Sequence, residues 1–157
     1  MKVIVIYYSR GGTTKSMAEL IHKTIKSKGV EADISPVEQF SYQNLLDYDG
    51  IIIGSPTYYG TCSAEIKKLI DDSVSLHRKL DGKVGAVFSS SANVAGGNET
   101  TALSILEALL IHGMIVQGDP QGDHYGLVAV TSVDERCKSN CVRFAERFVE
   151  LLKKVVK

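Results

Sequence analysis

The stretch that decides the fold is Lys2-Val3-Ile4-Val5-Ile6-Tyr7-Tyr8-Ser9-Arg10-Gly11-Gly12-Thr13-Thr14. Its first seven residues are apolar without alternation, apart from Lys2, the signature of a strand buried on both faces of a parallel sheet. Its last six break abruptly into glycine and hydroxyl residues. From Thr13 to Lys28 the spacing predicts a helix, with Met17, Ala18, Ile21 and Ile25 on its inner stripe and Gly29 as its stop. A buried strand that turns through two glycines into a helix is the opening unit of an α/β sheet.

The same alternation continues outward from that unit. Residues 30–35 read as a second strand and 50–55 as a third, while 36–47 reads as a poorly amphipathic helix. Ser63 is placed to cap a helix carrying Ile66, Leu69 and Ile70 inward. Residues 83–89 read as a fourth strand after an Asp81-Gly82 turn. A helix is expected over 98–111, with Ala102, Ile105, Leu106 and Leu109 at core spacing. Residues 114–117 and 126–131 look like two pieces of a fifth strand. Ser132 and Glu135 form a capping-box pattern ahead of a last helix carrying Phe144, Ala145, Phe148 and Leu152. No linker or repeat divides the chain, so residues 1–157 are expected to form one α/β domain, a parallel sheet covered on both sides.

Composition narrows the function classes. The chain has 157 residues, 18 basic and 18 acidic, so no global field draws it to nucleic acid or to an anionic membrane. No apolar run approaches the roughly 20 residues of a membrane span. The first residues enter a strand at once, which predicts no signal peptide and a cytoplasmic location. The three cysteines fit a reducing compartment. Cys137 and Cys141 share one helical face as small buried hydrophobes, and their surroundings supply no further metal ligands.

In open parallel sheets ligands sit beyond the carboxyl ends of the strands. Three loops occupy such ends. Ser9, Arg10, Gly11, Gly12, Thr13 and Thr14 follow the first strand; glycines there admit backbone N–H groups, hydroxyls can donate, and the helix start adds a positive dipole end, as a phosphate requires. The alternative is a plain Gly-Gly turn. The loop lacks the lysine of a nucleoside-triphosphate loop and the glycine spacing of a dinucleotide fingerprint. Pro56, Thr57, Tyr58, Tyr59 and Gly60 follow the third strand and offer two aromatics for stacking on a flat ring, or for packing against a neighbouring loop. Ser90, Ser91, Ala92, Asn93, Gly96 and Gly97 follow the fourth, small enough to bring backbone N–H groups to a ring's polar edge. A phosphate cradle, an aromatic platform and a small-residue edge together describe the three faces of flavin mononucleotide, FMN.

These residues carry a resemblance. Ser9 to Thr14 resembles the flavodoxin phosphate loop, Ser/Thr-x-Thr-Gly-x-Thr, with Gly11 in place of the middle threonine. Gly54-Ser55-Pro56-Thr57-Tyr58-Tyr59-Gly60 resembles the Gly-x-Pro-Thr-Arg-Phe-Gly loop of the WrbA-type NAD(P)H:quinone oxidoreductases, and Phe88 to Ser91, Gly96 to Glu99, His112-Gly113-Met114 and Tyr125-Gly126 match that family in order. The resemblance implies a flavodoxin-like, three-layer, doubly wound sheet of five parallel strands in the order 2-1-3-4-5. It implies FMN as cofactor, and a position for His112 near the flavin; a buried, satisfied helix-end histidine is the other reading of that residue. It implies an oxidoreductase passing electrons from NAD(P)H or another donor to a quinone-like acceptor, with a flavodoxin-type electron carrier as the alternative. No side chain is assigned as a catalytic acid or nucleophile, because the flavin carries the chemistry. Between Met114 and Tyr125 the chain is much shorter than the quinone reductases, where a longer segment contributes to their oligomer, so the oligomeric state stays open.

Overall fold

A computed structural model describes residues 1–156. The strands are β1 (Lys2–Tyr7), β2 (Glu31–Pro36), β3 (Gly50–Pro56), β4 (Val84–Ser91), β5 (Ile115–Val116) and β6 (Leu127–Val130). The helices are α1 (Thr13–Ser27), α2 (Ala64–Asp72), α3 (Asn98–Ile111) and α4 (Glu135–Val155). All strands pair in parallel, in the order β2-β1-β3-β4-β5, and β6 also lies against β4. β5 pairs Val84–Gly85 while β6 pairs Phe88–Ser91, so the two are the halves of one interrupted fifth strand. This is the flavodoxin-like order.

Strand periodicity divides the core. Val3, Val5 and Tyr7 of β1 face a layer built by α1 and α4, while Ile4 and Ile6 face the layer of α2 and α3. Cys137 and Cys141 are fully buried on the inner face of α4, as their spacing suggests. Contact with Cys137, together with burial, pushes the Cys141 thiol up, which leaves it inert as a nucleophile. No helix of the described residues is long and apolar enough to cross a membrane.

Two local expectations are corrected. Residues 36–47 do not form an α-helix but two short 3-10 turns, Val37–Gln39 and Tyr42–Asp47, separated by extended backbone at Phe40 and Ser41. Within the two turns only Val37 and Leu45 are buried, too few for a stable amphipathic helix. The cap of α4 is Asp134, whose carboxylate accepts from the Cys137 N–H at 2.7 Å, rather than Ser132. Ser132 is committed to a bridge with Val130 just past the end of β6. At α2 the expected cap forms, with the Ser63 hydroxyl accepting from the Ile66 N–H.

Candidate functional site

A right-handed crossover places the start of each helix beside the carboxyl end of the strand before it. The loops after β1, β3 and β4 therefore converge at one end of the sheet, around an open cleft of about 840 Å³ including its mouth. Its walls contain Ser9, Arg10, Gly11, Thr13 and Thr14 from the first loop, Pro56, Thr57 and Tyr58 from the second, and Ser90, Ser91 and Ala92 from the third. Gly12, Gly60, Asn93, Gly96 and Gly97 belong to the same loops but do not line the cleft.

The helix starts differ in a telling way. α2 and α4 are capped by the side chains of Ser63 and Asp134. α1, which opens onto the cleft, and α3 begin at Gly12 (φ 96°) and Gly97 (φ 92°) with no side-chain cap. The first turn of α1 carries no acidic residue, and nothing lies within 4 Å of the side-chain position of Gly11 or Gly12. Its unpaired N–H groups and dipole thus face open space, a ready anion site. Arg10, exposed, is the only charged side chain among the cleft walls.

The hydroxyls do more holding than expected. The Ser9 oxygen accepts from the Gly12 N–H at 3.1 Å, which leaves its proton to donate elsewhere. Thr13 donates to the Thr131 carbonyl, and buried Thr14 pairs with the Ser90 hydroxyl at 3.0 Å. Thr14 and Ser90 thereby fasten the first loop to the third. Asn98 Nδ2 donates to the Ser91 oxygen and Ser91 donates to the Asn93 carbonyl, which curls the third loop over the end of β4.

The two tyrosines part company. Tyr58 and Thr61 exchange both backbone hydrogen bonds around a turn with positive φ at Tyr59 (50°) and Gly60 (83°), the tight hairpin geometry. Tyr58 is half-buried, lines the cleft and meets Tyr8 edge to face, ring centroids 6.4 Å apart. Burial, and after it the Glu65 carboxylate, push the Tyr8 phenol up, so this support stays neutral. Tyr59 stands clear of the protein at the turn's tip, fully exposed. The turn is anchored by Thr100, whose hydroxyl donates to the Gly60 carbonyl at 2.6 Å, and by Thr101, which donates to the Thr57 hydroxyl.

Thr131 joins the cleft without having been singled out. It follows β6, adopts φ 65°, and donates through N–H to the Ser91 carbonyl and through its hydroxyl to the Ala92 carbonyl. Its sequence signal is its place directly after the carboxyl end of β6.

His112 does not join the others. It caps the far end of α3, about 20 Å along the helix axis from Asn98 at 1.5 Å per residue. Its Nε2 lies 2.9 Å from the Ser73 hydroxyl, which itself donates to the Ile70 carbonyl. Nε2 therefore carries the proton, and Nδ1 is a bare, buried lone pair with no partner. Burial, and then the His77 ring, hold the imidazole below the ordinary histidine pKa. The unfolded chain thus binds this proton at a pH where the fold does not, so stability is full above about pH 6.5 and falls as pH drops toward the folded value. Urea unfolding at pH 7.5 and at about pH 5.5 should show this loss, and His112→Gln should flatten the slope. An equal slope in the variant would assign the effect to other groups.

With this geometry in hand, the kinship of the chain is clear. Residues 4–111 match the family model described as "Flavodoxin domain". A flavodoxin of Clostridium saccharobutylicum is 35% identical over 162 residues, covering 99% of both chains. An NAD(P)H dehydrogenase (quinone) of Sinorhizobium fredii is 34% identical over 156 residues, covering 85% of this chain and 76% of that protein. The solved structure of a flavodoxin from the domain Archaea superposes with a TM-score of 0.80 at 27% identity, over 98% of this chain and 99% of that one.

Proposed function

The chain belongs to the flavodoxin family, its cofactor is FMN, and we propose that it carries electrons between protein partners that dock over the rim formed by Tyr59. The residues fit the cofactor. The uncapped start of α1 and Arg10 suit a phosphate dianion, Tyr58 backed by Tyr8 suits one face of a flat ring, and the small residues Ser90 to Ala92 suit its polar edge. Bound there, FMN supplies one- and two-electron transfer.

Tyr59 is the observation that carries the proposal. A fully exposed aromatic held at the tip of a rigid turn, beside the cleft mouth, is what a protein partner covers. Charge supports the same face. Glu65, Glu99 and Glu135 lie in the first turns of α2, α3 and α4, at the cleft end, while Lys26, Lys153 and Lys154 lie in the last turns of α1 and α4, at the other. The carboxylates at the helix starts beside the cleft help to orient a basic partner there. The three cysteines are unpaired, in keeping with a reducing compartment.

The second reading, NAD(P)H oxidation coupled to a quinone, is favoured by the Sinorhizobium relative. One experiment separates the two. The FMN-loaded protein is assayed for NADH and NADPH oxidation with menadione, and for electron delivery to cytochrome c, a basic haem protein, after chemical reduction. The carrier reading expects delivery that slows steeply as salt rises above about 0.1 M, and pyridine-nucleotide turnover far below the roughly 10 per second of an ordinary enzyme. Turnover at or above that rate would overturn it in favour of the quinone reductase.

A further inference from the structure

The interruption of the fifth strand leaves a second opening, on the α4 side of the sheet. β5 stops at Val116 and β6 resumes at Leu127, so Ala86 and Val87 of β4 lack a strand neighbour in register on that side. The intervening residues 117–126 fold outward against α4. Ala86, in the middle of a central strand whose neighbours in the chain are buried, is half-exposed as a result. Above it lies a narrow crevice of about 490 Å³ including its mouth, walled by Phe144 and Phe148 and floored by Ala86 and Leu127. It shares no residue with the FMN cleft.

Of the arginines around the mouth of this crevice, one has no carboxylate partner among the described residues. Arg136 pairs with Asp123 at 3.1 Å and Arg143 with Asp119 at 2.8 Å. Arg147 binds only the Gly118 carbonyl, at 3.0 Å, and meets no carboxylate among the described residues. Arg143 spends its terminal nitrogens on Asp119 and Gln121, yet its Nε is buried without a partner. A buried guanidinium N–H left unpaired costs stability, and its environment is sensitive to changes at this mouth. His124, whose Nδ1 donates to the Asp119 carbonyl, stands at the same mouth.

We propose that this crevice binds a small monocarboxylate with an aryl or alkyl tail. The carboxylate takes the uncompensated guanidinium of Arg147, since a planar acceptor suits guanidinium donors better than a compact one, and the neighbouring Arg143 Nε–H reports its arrival. The tail lies along Phe144 and Phe148 toward Ala86. One uncompensated cation selects a monoanion, and the narrow slot selects a single ring or a chain over a fused ring system. Binding ties residues 117–126 to α4.

Isotope-labelled, FMN-loaded protein is titrated with 4-phenylbutyrate, and separately with 4-phenylbutan-1-ol as its uncharged match, while NMR follows the Arg143 Nε–H signal and the amides of residues 118–124. The acid is expected to shift these signals saturably with Kd below about 1 mM, and the alcohol to bind about tenfold more weakly. Arg147→Gln, which removes one exposed backbone contact, should weaken the acid about tenfold with the melting temperature unchanged. Ala86→Val should fill the floor and weaken acid and alcohol alike. Absence of a saturable shift up to about 10 mM, equal affinity for acid and alcohol, or unchanged affinity in Arg147→Gln would each overturn the proposal.

Discussion

Gly54→Ala is expected to destabilise the protein by about 3 kcal/mol or more, the upper range for overpacking a buried site. Gly54 lies on β3 between Tyr7 of β1 and Phe88 of β4 in register. A methyl group there would fall inside the contact surface of the Phe88 ring, at three of its carbons. The ring cannot yield, because it is fully buried and belongs to the packed layer under α1 and α4. In a chain of this size the loss corresponds to a fall in melting temperature of roughly 10 °C. Phe88→Leu should cost stability by itself, yet in the double variant it should give back part of what alanine took. That non-additivity separates a steric conflict from a general weakness of the strand. A Gly54→Ala protein melting within a degree of the wild type would show that β4 can shift, and additive losses would show that the two side chains do not meet.

That glycine illustrates how far the residues alone could be read. A run from Gly50 to Ser55 announces a buried strand, but nothing local says that the position opposite carries a phenylalanine. Strand and helix positions were legible because hydrophobic period is a local property, and the strand order came with the flavodoxin resemblance. The three cleft loops were legible because strand ends are the places where an α/β sheet can bind. What escaped depends on pairs of distant residues. Tyr58 and Tyr59 read as one platform, although a positive φ at Tyr59 sends the second ring into solvent. Thr14 reads as a phosphate donor, and nothing local says that its hydroxyl also pairs with Ser90, 76 positions away. His112 follows the family in order along the chain, but the length of α3 carries it to the other end of the sheet. The α4 crevice has no sequence signature, since it exists only because residues 117–126 fold back on a helix they precede.

The loop between β1 and α1 bears the second large prediction. Ser9→Asp is expected to weaken FMN binding by at least about 100-fold while leaving the fold intact. Aspartate can keep the local bond, since its carboxylate accepts the Gly12 N–H that the Ser9 hydroxyl now accepts at 3.1 Å. The turn into α1 therefore survives. What changes is the charge at a helix start that carries no acid of its own and no side-chain cap. A carboxylate about 4 Å from one phosphate charge is opposed by about 4 kcal/mol at the effective dielectric of a protein surface, and a dianion by more. Arg10 offsets little of this, because it is exposed and screened by solvent. Riboflavin, which has the same ring without the phosphate, is the control: its affinity should change far less than that of FMN. Fluorescence titration of the cofactor-free variant with each ligand, beside its melting curve, reads both effects. A loss shared equally by riboflavin would mean that the substitution deforms the cleft as a whole, and unchanged FMN affinity would mean that Ser9 to Thr14 form a turn and the phosphate lies elsewhere.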